Sequence, residues 1–344
     1  MDKVQTKVAT LVTKDKTLII KGLAILFMIA HHVLIKEFYI EPSEFLSSLV
    51  AIRVQIAMKM CVGLFTFFVG YGAFYAVKID YKYIRQHAWR LLKQYWIVLF
   101  FSVLIVSLSS RESGWNSTVL WDNSLILNLL GFNHQYNLGN WYIYFYLYAL
   151  CVLPLIIRVF QKRTWGRLIL FTIVFGIMAY FIRGNHFYVQ AVDECVGYTP
   201  TLAIGYICAK TDILSVFCNR VRNKIIWILI VSLVLVFRSY ASEIIGIKTD
   251  VICVPVFVMA VSALFLQHET TIFAKIMTVL GRNSTLIWFI HAIPLSDSTR
   301  RLFQTCSLWP NNLLILYIVL TLVSLVLSIM GNYFFEKTNI IKKR

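Results

Sequence analysis

Residues 311–335 read NNLLILYIVLTLVSLVLSIMGNYFF, without one charged side chain. About 20 mostly apolar residues suffice to cross the hydrocarbon core of a bilayer as a helix. In hydrocarbon every backbone N–H and C=O must find a partner within the segment, which makes helix the only form open to a single run. The pattern recurs upstream at 18–36, 56–77, 91–109, 139–160, 167–183, 193–210, 225–240, 250–267 and 283–296. The predicted fold is therefore all-α: a polytopic integral-membrane bundle of about ten transmembrane helices, one domain over 1–344, with no soluble domain at either end. The ninth run is short and starts from a Gly-Arg-Asn-Ser turn. The stretch 118–132 is interrupted by Asp122, Asn123 and Asn128 and is expected to be re-entrant or interfacial.

Composition excludes the other classes. Apolar residues are 59% of the 344 and charged residues 14%, against about 45–50% and 25% in soluble domains. Mean hydropathy is +0.73. No soluble globule has an interior large enough for this chain, and disorder, coiled coil and a small disulfide scaffold are excluded as well. The seven Cys form no CxxC, and most fall within apolar runs, where a free Cys acts as a small hydrophobe. A bridge between Cys195 and Cys306, both on the outer side, is not expected. The first run has a basic lead but no small-residue cleavage site, so it reads as a retained helix.

Net charge is +17, and its location gives it a meaning. With the N-terminus inside and the runs alternating, 24 of the 33 Lys and Arg fall on inner segments, while ten of the 16 acids fall outside. That asymmetry predicts both termini in the cytoplasm. It also removes any need for nucleic acid as a partner.

Ionisable side chains within a bilayer are costly and suspect as functional. The first helix reads KGLAILFMIAHH at 21–32. Lys21 and His32 are eleven positions apart, which places them within about 20° on one helix face and about 16 Å apart along the axis. His31 points elsewhere. The cation can hold an anionic ligand near the membrane surface, and the imidazole can serve as a general base deeper in. A snorkelling Lys and a His bonded within the bundle would give the same pattern.

KGLAILFMIAHH resembles the first-helix signature of the membrane-bound acyltransferase-3 family, in which a cation and Gly precede an apolar run and a His. Five further blocks fall in the family's order: VGLFTFFVGYG at 62–72, HAWRLLKQYW at 87–96, NWYIYFYLYALCVLP at 140–154, TPTLAIG at 199–205 and GRNSTLIWFIH at 281–291. Lys21 in place of Arg and the doubled His are similar to the branch of intercellular-adhesin polysaccharide succinyltransferases. The resemblance implies transfer of an acetyl or succinyl group from cytoplasmic acyl-CoA to a hydroxyl of a cell-surface glycan or its lipid-linked precursor, in a bacterial plasma membrane. It makes His32 the candidate catalytic base and Lys21, Arg85, Arg90 and Lys93 the candidate CoA ligands, since Arg forks suit phosphate. Trp141, Ser284 and His291 become candidates for the substrate pocket. CoA is a co-substrate, and no metal is implied. Membrane lipid, a second copy of the chain or polysaccharide-synthesis proteins are the further partners such a role implies.

Two blocks depart from the family. The third-helix cations are Arg85, Arg90 and Lys93 rather than the usual Arg pattern, and Tyr146 stands five residues after Trp141 where many members have Glu. Lys59, within the second run, is expected to pair with an acid or a ligand. The outer acids Glu37, Glu41, Glu44, Asp122, Asp193, Glu194 and Asp297 are candidates to orient His32 or meet the acceptor. Trp141, Tyr142 and Tyr144 suit either a sugar platform or an interfacial belt. The rival reading is a transporter or polysaccharide exporter, since a buried His and Lys also suit proton coupling. Against it, no inverted repeat is visible.

Overall fold

The computed structural model describes residues 11–35, 48–112, 123–132, 137–161, 165–182, 187–218, 221, 223–265, 270–295 and 312–338. Among them are fourteen α-helices and no strand. They are α1 (Lys14–Val33), α2 (Ser48–Met58), α3 (Met60–Tyr75), α4 (Tyr81–Glu112), α5 (Asn123–Leu129), α6 (Trp141–Phe160), α7 (Trp165–Ile182), α8 (Phe187–Thr211), α9 (Ile213–Cys218), α10 (Lys224–Ile245), α11 (Asp250–Leu264), α12 (Ile272–Arg282), α13 (Ser284–Ile290) and α14 (Leu313–Lys337).

Each of the ten apolar runs carries one of these helices. Among the described residues, six segments are both long and apolar enough to cross a membrane: α1, the joined α2–α3 segment, α4, α6, α10 and α14. Three of the other four runs differ for physical reasons. α8 holds Asp193, Glu194, Pro200 and Lys210. α11 has 15 residues. The ninth run starts at Asn283, where α12 ends and α13, of only seven residues, begins; Asn283 Nδ2 donates to Val279 O while its Oδ1 accepts from Asn332. Of the stretch 118–132, the described part forms the short α5, and 118–122 lie outside the described residues. Cys195 is buried and free, whereas Cys306 lies outside the described residues.

The core is built where glycines let helices touch. α1 packs along α12, and α3 along α8. A Cβ at Gly22 would overlap the Met277 carbonyl, and one at Gly281 would overlap that of Leu18. Gly70 and Gly205 stand in the same reciprocal relation, to Leu202 O and Phe67 O. Without hydrophobic drive between helices in lipid, such close backbone approach supplies the dispersion energy of packing. Around these crossings Ile20, Ile25, Ile29, Phe67, Tyr198, Ile207, Val254 and Phe257 are buried. The opposite faces of α7, α10 and α14 expose Ile173, Leu233, Leu322 and Val326, an apolar surface that lipid solvates.

Gly70→Val or Gly281→Val is expected to destabilise the protein by at least the ~1–3 kcal/mol of an overpacked core. Gly176→Val, whose Cβ meets nothing within 4 Å, is expected to leave Tm in detergent unchanged. Equal Tm for all three variants would show that the crossings do not carry the fold.

Candidate active site

α1 sets the axis of the site. Thr13 caps its start, accepting from Lys16 N–H at 3.2 Å. Lys21 and His32 then share one face, as their spacing requires. At the Lys21 end lies a cavity of about 800 Å³, within the size range of ligand pockets. Its cations are Lys14, Lys21, Arg90 and Arg282, with Asp15 among them. These come from the segments that charge asymmetry assigns to one side of the membrane. The inner wall is apolar and aromatic, with Phe65, Tyr142, Trp288 and Phe289. Trp288 meets Phe65 at 5.3 Å and Tyr142 at 4.4 Å between ring centroids.

α4 turns one face to this cavity: Tyr83, His87, Arg90 and Gln94. Asp80 accepts from Tyr83 N–H at 2.9 Å at the start of the helix, and that bond holds its carboxyl below the usual range. Arg85 and Lys93 lie on the other face, beside the rings of Tyr81 and Trp89. They do not line the cavity, so only Arg90 of the three expected phosphate ligands stands with Lys21. Charge content had grouped them, and the rotational phase of the helix separates them. Ser284 lines the cavity, buried beside Arg282 at the start of α13.

One helical turn beyond Trp288 comes His291. It is 1% exposed, and it meets His32, 7% exposed, with 2.8 Å between His32 Nδ1 and His291 Nε2. The rings stack at 5.1 Å with 22° between planes. His291 Nδ1 donates to Ile287 O at 2.9 Å. Neither histidine lines the cavity, nor does Trp141, which packs on Trp288 at 6.0 Å.

His31 and His32 have different work. α2 and α3 break at Lys59, and such a break leaves terminal carbonyls to be satisfied. His31 Nδ1 donates to Gln55 O at 2.9 Å, and Arg238 Nη1 donates to Ile56 O. His31 is thereby committed to the backbone. Arg238 also holds Asp250, through Nε at 2.8 Å and Nη2 at 3.4 Å. Both lie within the apolar runs 225–240 and 250–267, and they are 1% and 0% exposed.

Lys59 lies in electrostatic range of His31, His32 and Glu194. Glu194 accepts from Tyr144 OH at 2.9 Å. Of the expected outer acids, Glu37, Glu41, Glu44, Asp122 and Asp297 lie outside the described residues. Residue type alone had not singled out Lys14, His87, Arg282 or Trp288. The basic lead and the GRNSTLIWFIH block hold three of these and were the available signal.

The fold and site thus define an all-helical membrane protein with a basic-mouthed cavity and a buried histidine pair on one helix axis. The family model described as an acyltransferase domain matches residues 19–333, and the chain belongs to this acyltransferase-3 family. No curated protein and no solved structure shows significant similarity to it.

Proposed function

We propose that this membrane acyltransferase moves an acetyl or succinyl group from acyl-CoA to a hydroxyl of a cell-surface glycan or its lipid-linked precursor, with His32 as general base. What carries the reading is one arrangement: a cavity with four cations at its mouth and aromatic rings within, on the same helix axis as the buried His32. Lys21, Arg90, Arg282 and Lys14 suit the phosphates of CoA, and the rings suit its apolar thioester arm. On this reading the thioester reaches His32 past Trp288, which lines the cavity one helical turn before His291.

The step balances simply. His32 takes the proton of the acceptor hydroxyl while its oxygen forms a bond to the thioester carbonyl carbon. The C–S bond breaks, and the proton passes to the thiolate, giving ester and CoA. A hydroxyl is a weak nucleophile until its proton is accepted, and a water-poor site protects the thioester.

The same proposal takes all ten apolar runs as crossings of a cell membrane, with both ends of the chain in the cytoplasm. Lys14, Lys21, Arg90 and Arg282 gathered at one end of the bundle support it.

The experiment is release of free thiol from acetyl-CoA and succinyl-CoA by purified protein in nanodiscs, with and without glycan acceptor. Turnover that rises with acceptor is expected. No turnover of either thioester under any acceptor, by protein that CoA fails to stabilise, would favour the transporter reading.

A second expectation separates the two faces of α4. Arg90→Ala and Lys21→Ala should each weaken CoA binding about tenfold, the loss typical of one charge-assisted contact. Arg85→Ala should leave it unchanged. Thermal shift against CoA concentration measures all three, and an equal loss for Arg85→Ala would contradict the placement of the phosphates.

A further inference from the structure

We propose that His291 is a positioning residue: it fixes the tautomer of His32 and so makes Nε2 the atom that takes the acceptor proton. This rests on the reading of His32 as base.

The direction of the hydrogen bonds is set by the group at the far end. The Ile287 carbonyl can only accept, so His291 Nδ1, 2.9 Å from it, carries a proton and donates. In a neutral imidazole the other ring nitrogen is then an acceptor. His291 Nε2 therefore accepts from His32 Nδ1 at 2.8 Å. That places the proton of neutral His32 on Nδ1 and its lone pair on Nε2. A doubly protonated His291 would reverse the second bond. It would also set a charge within the buried pair, in a region where Lys59 already acts on His32, and burial makes such a charge costly.

Among the described residues, three charged or titratable groups face His32: His31 on its own helix, His291 after α13, and Lys59 at the α2–α3 break. His31 has its Nδ1 on Gln55 O, and Lys59 has no lone pair to offer. His291 alone among these three accepts from His32 Nδ1.

When Nε2 takes the acceptor proton, the Nδ1–H bond to His291 becomes charge-assisted and strengthens. The arrangement thus stabilises His32 most while it holds the proton in transit. His291 ends each cycle as it began, since the proton leaves from Nε2 to the thiolate. In serine hydrolases, loss of the correct tautomer costs about 10⁴ in kcat. A neutral acceptor is weaker than a carboxylate, so a smaller loss, on the order of 10², is expected here.

The test uses the full chain in nanodiscs with ¹⁵N-labelled histidine, and the variants His291→Leu, His291→Gln and His32→Ala. Wild-type protein should give a protonated Nδ1 and a bare Nε2 for His32, the resonance assigned by its loss in His32→Ala. His291→Leu should lose that preference and about 100-fold in turnover, with CoA stabilisation intact. His291→Gln, whose amide oxygen reaches the place of Nε2, should keep turnover within about tenfold of wild type. A bare Nδ1 on wild-type His32, or wild-type turnover in His291→Leu, would overturn the proposal. Should the Leu variant fail to fold, the wild-type spectrum and the Gln variant decide. Full turnover in His32→Ala would instead sink the base assignment, and the spectrum would still report whether His291 sets the ring.

Discussion

His32→Ala is expected to lower acyl-CoA turnover by about 10²–10⁴, the usual contribution of a positioned general base, while CoA still stabilises the protein. The separation follows from geometry. The cavity that holds CoA in our account lies around Lys21, about 16 Å along α1 from His32 by helix rise, and His32 does not line it. Removing the imidazole therefore leaves the mouth of the cavity untouched. His31 does not stand in its place: it lies about 100° round α1 from His32 and turns its ring to Gln55 O at the α2–α3 break. The measurement is thiol release beside CoA thermal shift on the same preparation. Turnover above a tenth of wild type, in folded protein, would show that another group takes the proton.

The second large effect is on stability. Arg238→Met alone, or Asp250→Leu alone, is expected to destabilise the protein by about 3–5 kcal/mol, because each leaves a buried charge without its partner. The site makes this cost hard to avoid. Both side chains are fully buried. The Asp250 carboxylate lies against Gly63, with Oδ2 only 2.5 Å from where a Cβ would stand, so the carboxylate has no room to move that way. Arg238 further caps Ile56 O at the end of α2. The double variant, with two apolar side chains of matching size, is expected to recover most of the loss, since replacing both partners of a buried pair is often near neutral. Detergent Tm of the two single variants and the double completes the cycle. Additive losses would show that the pair contributes no mutual stabilisation.

Several features of the site were legible in the sequence because they are local. Eleven residues on one helix fix the relation of Lys21 to His32. The Gly-Arg-Asn-Ser turn was visible as a helix start, and the structure gives each residue a task. Gly281 admits α1, Arg282 reaches the cavity, Asn283 breaks the helix and Ser284 opens α13. The glycines of the resembling blocks prove to be crossing points between helices that are distant in sequence, as Gly70 and Gly205 show.

What was illegible is what depends on helix rotation and on tertiary partners. Arg85, Arg90 and Lys93 look alike as a basic cluster, and only the packing of α4 decides that Arg90 alone faces the cavity. Arg238 and Asp250 are twelve residues apart on different helices, and no local pattern joins them. Only their meeting lets both sink into the bundle. The doubled histidine gave no sign of what each ring meets, which is Gln55 O for His31 and His291 for His32. His291 had been grouped with the pocket through the family resemblance, whereas its partner is His32.

Acyl-CoA is expected to occupy the cavity at Lys21, and the test is binding of CoA to the purified wild-type protein in nanodiscs. Thermal unfolding is followed as CoA is raised, with dephospho-CoA and free pantetheine in parallel. Saturable stabilisation is expected, about 2.7 kcal/mol at a hundredfold excess over Kd, weaker for dephospho-CoA, weaker still for pantetheine, and reduced by Lys21→Ala. Well-folded protein that CoA does not stabilise at any concentration, or that pantetheine stabilises as well as CoA does, would contradict it.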